Sequence, residues 1–234
     1  MHDLSEAWLR HRRAGEHLAD LEGLIDALSE QGDVVVPYLD PNARKDLVQL
    51  PPSSVPGKTP SVRVGEVVYN LRAALDYAVH LLSGRKRDSQ FPVENDKNWF
   101  HARKTGRLPN GKRIKAFLKG VPPGCCDLIE AVQPCKGVRW TKRLATLSNE
   151  DKHRELTVLN AVSRKPFTRA DFPALYPSPN LYPGPNVFPS AGYVKMHVDE
   201  PFEVALPDGT PVAEALQELK TQVGDLLKRL ESCK

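Results

Sequence analysis

The sequence predicts a mainly α protein: a bundle of four long helices with short β-hairpin decorations and a Pro-rich loop, in a single helical-bundle domain over residues 1–234. Three observations carry this. Four stretches repeat apolar residues at alternating spacings of three and four, the stripe of an amphipathic helix. Short β-branched runs, "DVVVPYLDPN", "YVKMHV" and "FEVAL", are too brief for a large sheet. Residues 166–189 hold seven prolines among polar and aromatic residues, which excludes a regular helix there.

In chain order, the first helix follows from Leu4, Ala7, His11, Ala14, Leu18, Leu21, Ile25 and Leu28, with Gly32 ending it. A strand in "DVVVPYLDPN" and an extended linker, "LPPSSVPGKTP", come next. The second helix spans about Ser61 to Leu82 on the stripe Val64, Val67, Val68, Leu71, Leu75, Ala78 and Leu82, with Gly84 past its end. A loop, "RLPNGK", precedes a short helix over "RIKAFLKG", stopped by Gly120 and Pro122, and another over "CCDLIEAV" before Pro134. The third long helix is expected from Val138 to Val162, with an interruption at Ser148. "YVKMHV" and "FEVAL" flank Asp199, Glu200 and Pro201 and are expected to pair as a hairpin. Thr210 as N-cap and Pro211 at the first helical position start the last helix. Its Val212, Leu216, Leu219, Val223, Leu226 and Leu230 form an a/d stripe through which a homodimer is expected.

Composition excludes several classes. With 40% hydrophobic and 26% charged residues and no apolar run near the ~20 residues that span a bilayer, no membrane crossing is expected. The first residues carry acids and no continuous apolar run, so no secretory leader is read and a cytoplasmic location is expected. Cys125, Cys126, Cys135 and Cys233 form no CxxC pair, so thiols are expected and neither a metal site nor a cofactor. GxSxG, Walker, GxGxxG and HExxH patterns are all missing.

Charge is uneven although the net is only +4. From Lys97 to Cys126 there are Lys97, Arg103, Lys104, Arg107, Lys112, Arg113, Lys115 and Lys119 and no acid, with Trp99 and Phe100 interleaved. Cations beside aromatic faces suit single-stranded RNA or another polyanion, and Arg103, Lys104, Lys112 and Arg113 are the candidate contacts. The plainer reading is a solvated basic surface.

Polar residues on apolar helices mark a candidate site. On the second helix Tyr69, Arg72, Asp76 and His80 line up beside the stripe, with Arg72 and Asp76 at i, i+4. Asp151 and Arg154 fall on the face defined by Leu144, Leu147, Val158 and Val162, so they are expected to meet the charges of the second helix inside the bundle. Alternatively "SNEDKHR" is a helix N-terminus, where Lys152, His153 and Arg154 would hold an anion. His80 or His153 would be the acid/base, Arg72 and Arg154 the phosphate stabilisers, and Asp76 or Asp151 the group fixing a histidine tautomer. Arg13 and His17, at i, i+4 on the first helix, would join if that helix packs alongside.

"GEVVYNLRAALDYAVHLL", "QFPV" and "LSNEDKHRELTVL", with "RAGEHL" and "DGTPVAEAL", resemble a recurrent set of uncharacterised proteins of actinobacteria and their phages that share NLRxALD and NxDKHR motifs. The resemblance implies a fold and adds Asn70, Asn149 and Lys152 to the candidate ligand contacts; Tyr77 stands where a histidine is common. A helical bundle with internal Arg, His, Asn and Asp is also similar to the HEPN ribonuclease fold, whose members cleave RNA without metal through an arginine and a histidine a few residues apart on one helix. Arg12 and His17 match that spacing; Arg72 with His80, and Arg143 with His153, are set wider. The resemblance implies a phosphate- or RNA-binding bundle with metal-independent endoribonuclease activity of toxin or defence type. The alternative is a non-enzymatic interaction or regulatory protein whose polar cluster sets helix register.

Overall fold

Helix-forming stripes dominate the observed structure as they do the sequence. The computed structural model describes residues 2–30, 33–37, 59–153, 160–163, 193–197, 202–206 and 209–233; side chains of 28–30, 150–153 and the strands except 204–205 are left aside. Most described residues lie in six α-helices, so the protein is mainly α. The elements are α1 (Ser5–Glu30), β1 (Asp33–Pro37), α2 (Thr59–Leu82), α3 (Lys97–Thr105), α4 (Pro123–Ala131), a 3-10 turn (Pro134–Lys136), α5 (Trp140–His153), β2 (Asn160–Ser163), β3 (Tyr193–His197), β4 (Phe202–Ala205) and α6 (Val212–Ser232). No helix among the described residues is long and apolar enough to cross a membrane.

The chain divides into two compact units: Met1–Leu21, Ser61–Thr157 and Ala213–Lys234 form the first, Glu22–Pro60 and Val158–Val212 the second. In the first, Leu4, Leu18 and Leu21 of α1, Val67, Leu71 and Leu75 of α2, Leu144 of α5 and Leu219, Val223 and Leu226 of α6 are all buried. Each such side chain contributes about 1.5–3 kcal/mol by leaving water. Glycines let α1 and α6 approach: a Cβ on Gly224 would stand 3.0 Å from His11 Nε2, and that ring nitrogen lies 2.9 Å from the Lys220 carbonyl. The α6 stripe, Leu216, Leu219, Val223, Leu226 and Leu230, is therefore covered by its own chain. This corrects the expected homodimer seam, because a stripe already removed from water has no apolar area left to offer a second copy.

In the second unit the strands pair otherwise than expected. β1 runs antiparallel to β3, with Val34 opposite Met196, and β2 runs antiparallel to β4, with Ala161 opposite Val204. β3 and β4 do not form a hairpin; the intervening "VDEP" lacks the Asn-Gly or Gly-first pair that a tight turn needs. Gly209, at φ +81°, turns the chain after β4, and its N–H donates to the Leu206 carbonyl at 2.8 Å.

Other differences follow local chemistry. α5 is described from Trp140 to His153, and Val162 lies in β2 instead of on the helix face. Ser148 to His153 lie two or more turns past the start of α5 at Trp140, so the expected N-terminal anion site is not formed there. "RIKAFLKG" is a set of turns, with Val121 N–H donating to Leu118 O, and not a helix. α3 was not expected; Asp96 caps it by accepting from Asn98 N–H at 2.7 Å and Trp99 N–H at 3.1 Å, and Gly106 ends it at φ +78°. Pro211 sits in a bridge opposite Ala205, one residue before the helix. Cys125 and Cys233 form a disulfide with a Cα–Cα separation of 5.7 Å, correcting the expectation of four thiols, while Cys126 and Cys135 are free. The stretch 166–189 lies outside the described residues.

Candidate functional site

Buried Arg72 and half-buried Asp76 share one task. Asp76 Oδ1 accepts the Phe91 N–H at 2.9 Å, and Arg72 donates to the Phe91 carbonyl, while the two side chains pair at 3.2 Å. An acceptor and a donor one helical turn apart thus satisfy both backbone groups of one residue, as a neighbouring strand would. This is the physical link between the "NLRAALD" and "QFPV" segments. Glu94 continues the anchorage: its N–H donates to Gln133 Oε1 at 2.9 Å, its carbonyl accepts from Cys135 N–H at 3.1 Å, and its carboxylate takes Arg103 Nε at 2.7 Å.

Arg103 and Lys104, expected as ligand contacts, are consequently engaged within the fold. The Arg103–Glu94 pair is about one-sixth exposed, at 17% and 15%, and the guanidinium also lies 4.2 Å over the Phe117 ring. Lys104 reaches Glu130 at 3.2 Å, and Lys136 reaches the same carboxylate at 3.0 Å. Hydrogen bonding from Lys136, then from Lys104, holds the Glu130 carboxyl below the usual carboxylate range against the upward push of burial.

The loop after α2 is also tightly defined. Arg85 N–H donates to His80 O at 2.8 Å and Gly84 N–H to Leu81 O at 3.1 Å, a Schellman end with Gly84 at φ +72°. Ser89 Oγ donates to Lys86 O at 2.6 Å and lies 2.9 Å from His80 Nδ1. With the single hydroxyl hydrogen directed to Lys86 O, the Ser89 Oγ lone pairs face His80 Nδ1. Lys86, Arg87, Asp88 and Ser89 then line a pocket of about 250 Å³ with Ala116 and Lys119. Gly120, at φ +90°, follows Lys119 in close contact with the end of α2: a Cβ there would lie 2.9 Å from the Ser83 carbonyl.

Beside this pocket is a tight hairpin, residues 106–114. Leu108 N–H donates to Lys112 O at 2.9 Å, Gly111 N–H to Leu108 O at 2.9 Å, and Asn110 Oδ1 accepts from Lys112 N–H at 3.1 Å. Arg107 and Arg113 are bridge partners, which puts two exposed guanidinium side chains on one face. Among the described residues neither arginine forms an ion pair, and neither do Lys112 or Lys119. Lys115 Nζ, 3.9 Å from Asp88, and Ala116, 3.5 Å from a Cβ built on Gly106, join hairpin to pocket.

No known family model matches this chain, and no curated protein or solved structure does. Its function is therefore argued from its own residues.

Of the sequence candidates, the structure groups Lys112 and Arg113 with a positive face and attaches Arg72, Asp76, His80, Arg103 and Lys104 to neighbouring backbone or acids. Arg13 pairs with Glu16 at 2.7 Å on the surface, and His17 turns inward to Glu66 at 3.2 Å, so neither approaches Arg72 in a shared set of contacts. Arg12 is exposed while His17 is buried, so the two do not share surroundings. Asn70 is buried with Nδ2 donating to Glu66 O at 2.8 Å; its Oδ1 is the one buried side-chain atom without a partner among the described residues. Asn149 is exposed on α5. The side chains of Asp151, Lys152 and His153, and Arg154 altogether, lie outside the described residues, and with them the expected cross-helix network. Lys86 and Arg87 escaped the sequence reading; the signal was the triplet Arg85, Lys86, Arg87 directly after a helix-ending glycine.

Proposed function

We propose that the protein binds single-stranded RNA through its phosphates, across the face formed by Lys86, Arg87 and Lys119 at the pocket and Arg107, Lys112 and Arg113 on the hairpin. The observation that carries this is the Arg107–Arg113 pair, two like charges held opposite each other with no acid among the described residues to offset them. Like charges directly opposed destabilise a strand pair, and a phosphate between them reverses the sign. The pocket, about 250 Å³, is smaller than the roughly 300–1,000 Å³ of a site for a whole drug-sized ligand, so it suits one sugar-phosphate of a longer chain. Trp99, 40% exposed on α3, supplies a flat surface on which a base can stack.

Binding without cleavage is the reading favoured by the α2 residues: Arg72 and Asp76 hold Phe91, and His80 holds Ser89. Fluorescence anisotropy with a labelled single-stranded RNA, in chelator and across a salt series, tests it. Six engaged cations give a slope of log K against log salt of about −4, at roughly 0.7 per phosphate neutralised. A flat salt response, or equal affinity for an uncharged backbone analogue, contradicts the proposal; shortening of the RNA that depends on His80 restores the nuclease reading.

A further inference from the structure

A second cluster lies away from the basic face. Cys125 is in the first turn of α4, Cys233 directly follows α6, and the His2 N–H donates to the Glu231 carbonyl at 2.9 Å, which brings residue 2 to the end of α6. One ligand atom from each of His2, Cys125 and Cys233 lies within 4.8 Å of the others. We propose that these three residues bind a single zinc ion when the Cys125–Cys233 bond is reduced, and release it when the bond forms.

A disulfide requires two sulfurs and leaves the histidine without a part to play. Two thiolates and an imidazole, by contrast, are the soft and borderline donors that select zinc over calcium or magnesium. Bond lengths of about 2.3 Å to sulfur and 2.0 Å to nitrogen place tetrahedral ligands somewhat under 4 Å apart, so the observed cluster closes on one ion by small side-chain rotations. Cys125 is buried, whereas His2 and Cys233 are half-buried, which leaves a solvent path and a fourth position for water. Cys126, also buried but without such neighbours, has its thiol pushed up by burial and is not part of the set.

The chemistry balances with a thiol reductant. Two R–SH convert the disulfide to two cysteine thiols and one R–S–S–R. Zinc then takes both sulfurs as thiolates, releases their two protons to water, and accepts a lone pair from neutral His2. In the reverse direction R–S–S–R accepts two electrons and two protons, the cysteine sulfurs join, and Zn2+ leaves. The two states thus exchange one covalent staple between α4 and the end of α6 for another.

The test uses the full chain, reduced with a phosphine and stripped of metal, titrated with zinc chloride against a chromophoric chelator. One equivalent is expected for the reduced chain and none for the oxidised chain. Cys135→Ser should bind as the parent does, Cys233→Ser should bind none, and His2→Ala should weaken affinity beyond the roughly 100-fold lost when a residue that merely orients a ligand is removed. Equal uptake by oxidised and reduced chains, or by Cys233→Ser and parent, overturns the proposal. If Cys233→Ser changes the helical circular dichroism, cobalt in the reduced parent decides: a thiolate-to-metal charge-transfer band supports the site, and its absence overturns it.

Discussion

Arg103 and Arg107 stand in the same acid-free run, four residues apart, and do opposite things. Arg103 points into the fold, paired with Glu94 at 2.7 Å and stacked on Phe117, and Lys104 beside it meets Glu130. Arg107 points to solvent opposite Arg113 and meets no carboxylate among the described residues. The acids that neutralise α3 come from Glu94, Asp127 and Glu130, outside the run, so a local charge count overstates the field at α3 and is accurate only at the hairpin. A cation becomes a binding group by lacking a partner, and only the fold decides which cations those are.

The comparison breaks first at its most buried charge. Arg72→Ala removes the buried donor to the Phe91 carbonyl and the cation beside the Asp76 carboxylate, and should lower stability by about 3 kcal/mol, read as a lower urea midpoint at unchanged slope, with RNA affinity intact below the transition. Next is Arg103→Ala, expected to cost about 2 kcal/mol through the lost charge-assisted hydrogen bond and ring contact, again without loss of affinity. Arg107→Ala with Arg113→Ala should show the reverse: affinity falls roughly tenfold, about 1.4 kcal/mol, the salt slope flattens by about 1.4, and stability stays within about 0.5 kcal/mol.

The smallest effect is in acid. Glu130 titrates below its ordinary value of 4.5 in the fold, so the folded chain binds its proton less readily than the unfolded chain. Its contribution is complete above that value and is lost as pH falls through the lower, folded one. Glu130→Gln should therefore flatten the decline in melting temperature below about pH 4.5 while leaving the neutral-pH affinity alone.

Legibility followed the range of each interaction. α1 and α2 were readable to within about two residues because their apolar stripes are local signals, and the start of α6 to within one residue. α3 carries its cap and its terminal glycine in "DKNWFHARKTG", signals that the basic charge obscured. Strand pairing depends on partners far apart in the chain, and so do the Cys125–Cys233 bond, whose ends are 108 positions apart, and the clamp on Phe91. Arg72 and Asp76 were recognisable as special from their positions on an apolar helix. That their target is a backbone amide and carbonyl has no signature in the sequence.

The most direct measurement pairs two single variants that each remove one positive charge, Arg103→Gln and Arg107→Gln, with RNA affinity and urea stability determined for both under one set of conditions. The account predicts a crossed result: Arg103→Gln loses stability and keeps affinity, Arg107→Gln keeps stability and loses affinity. Equal losses of affinity in the two, with stability unchanged in both, would contradict it.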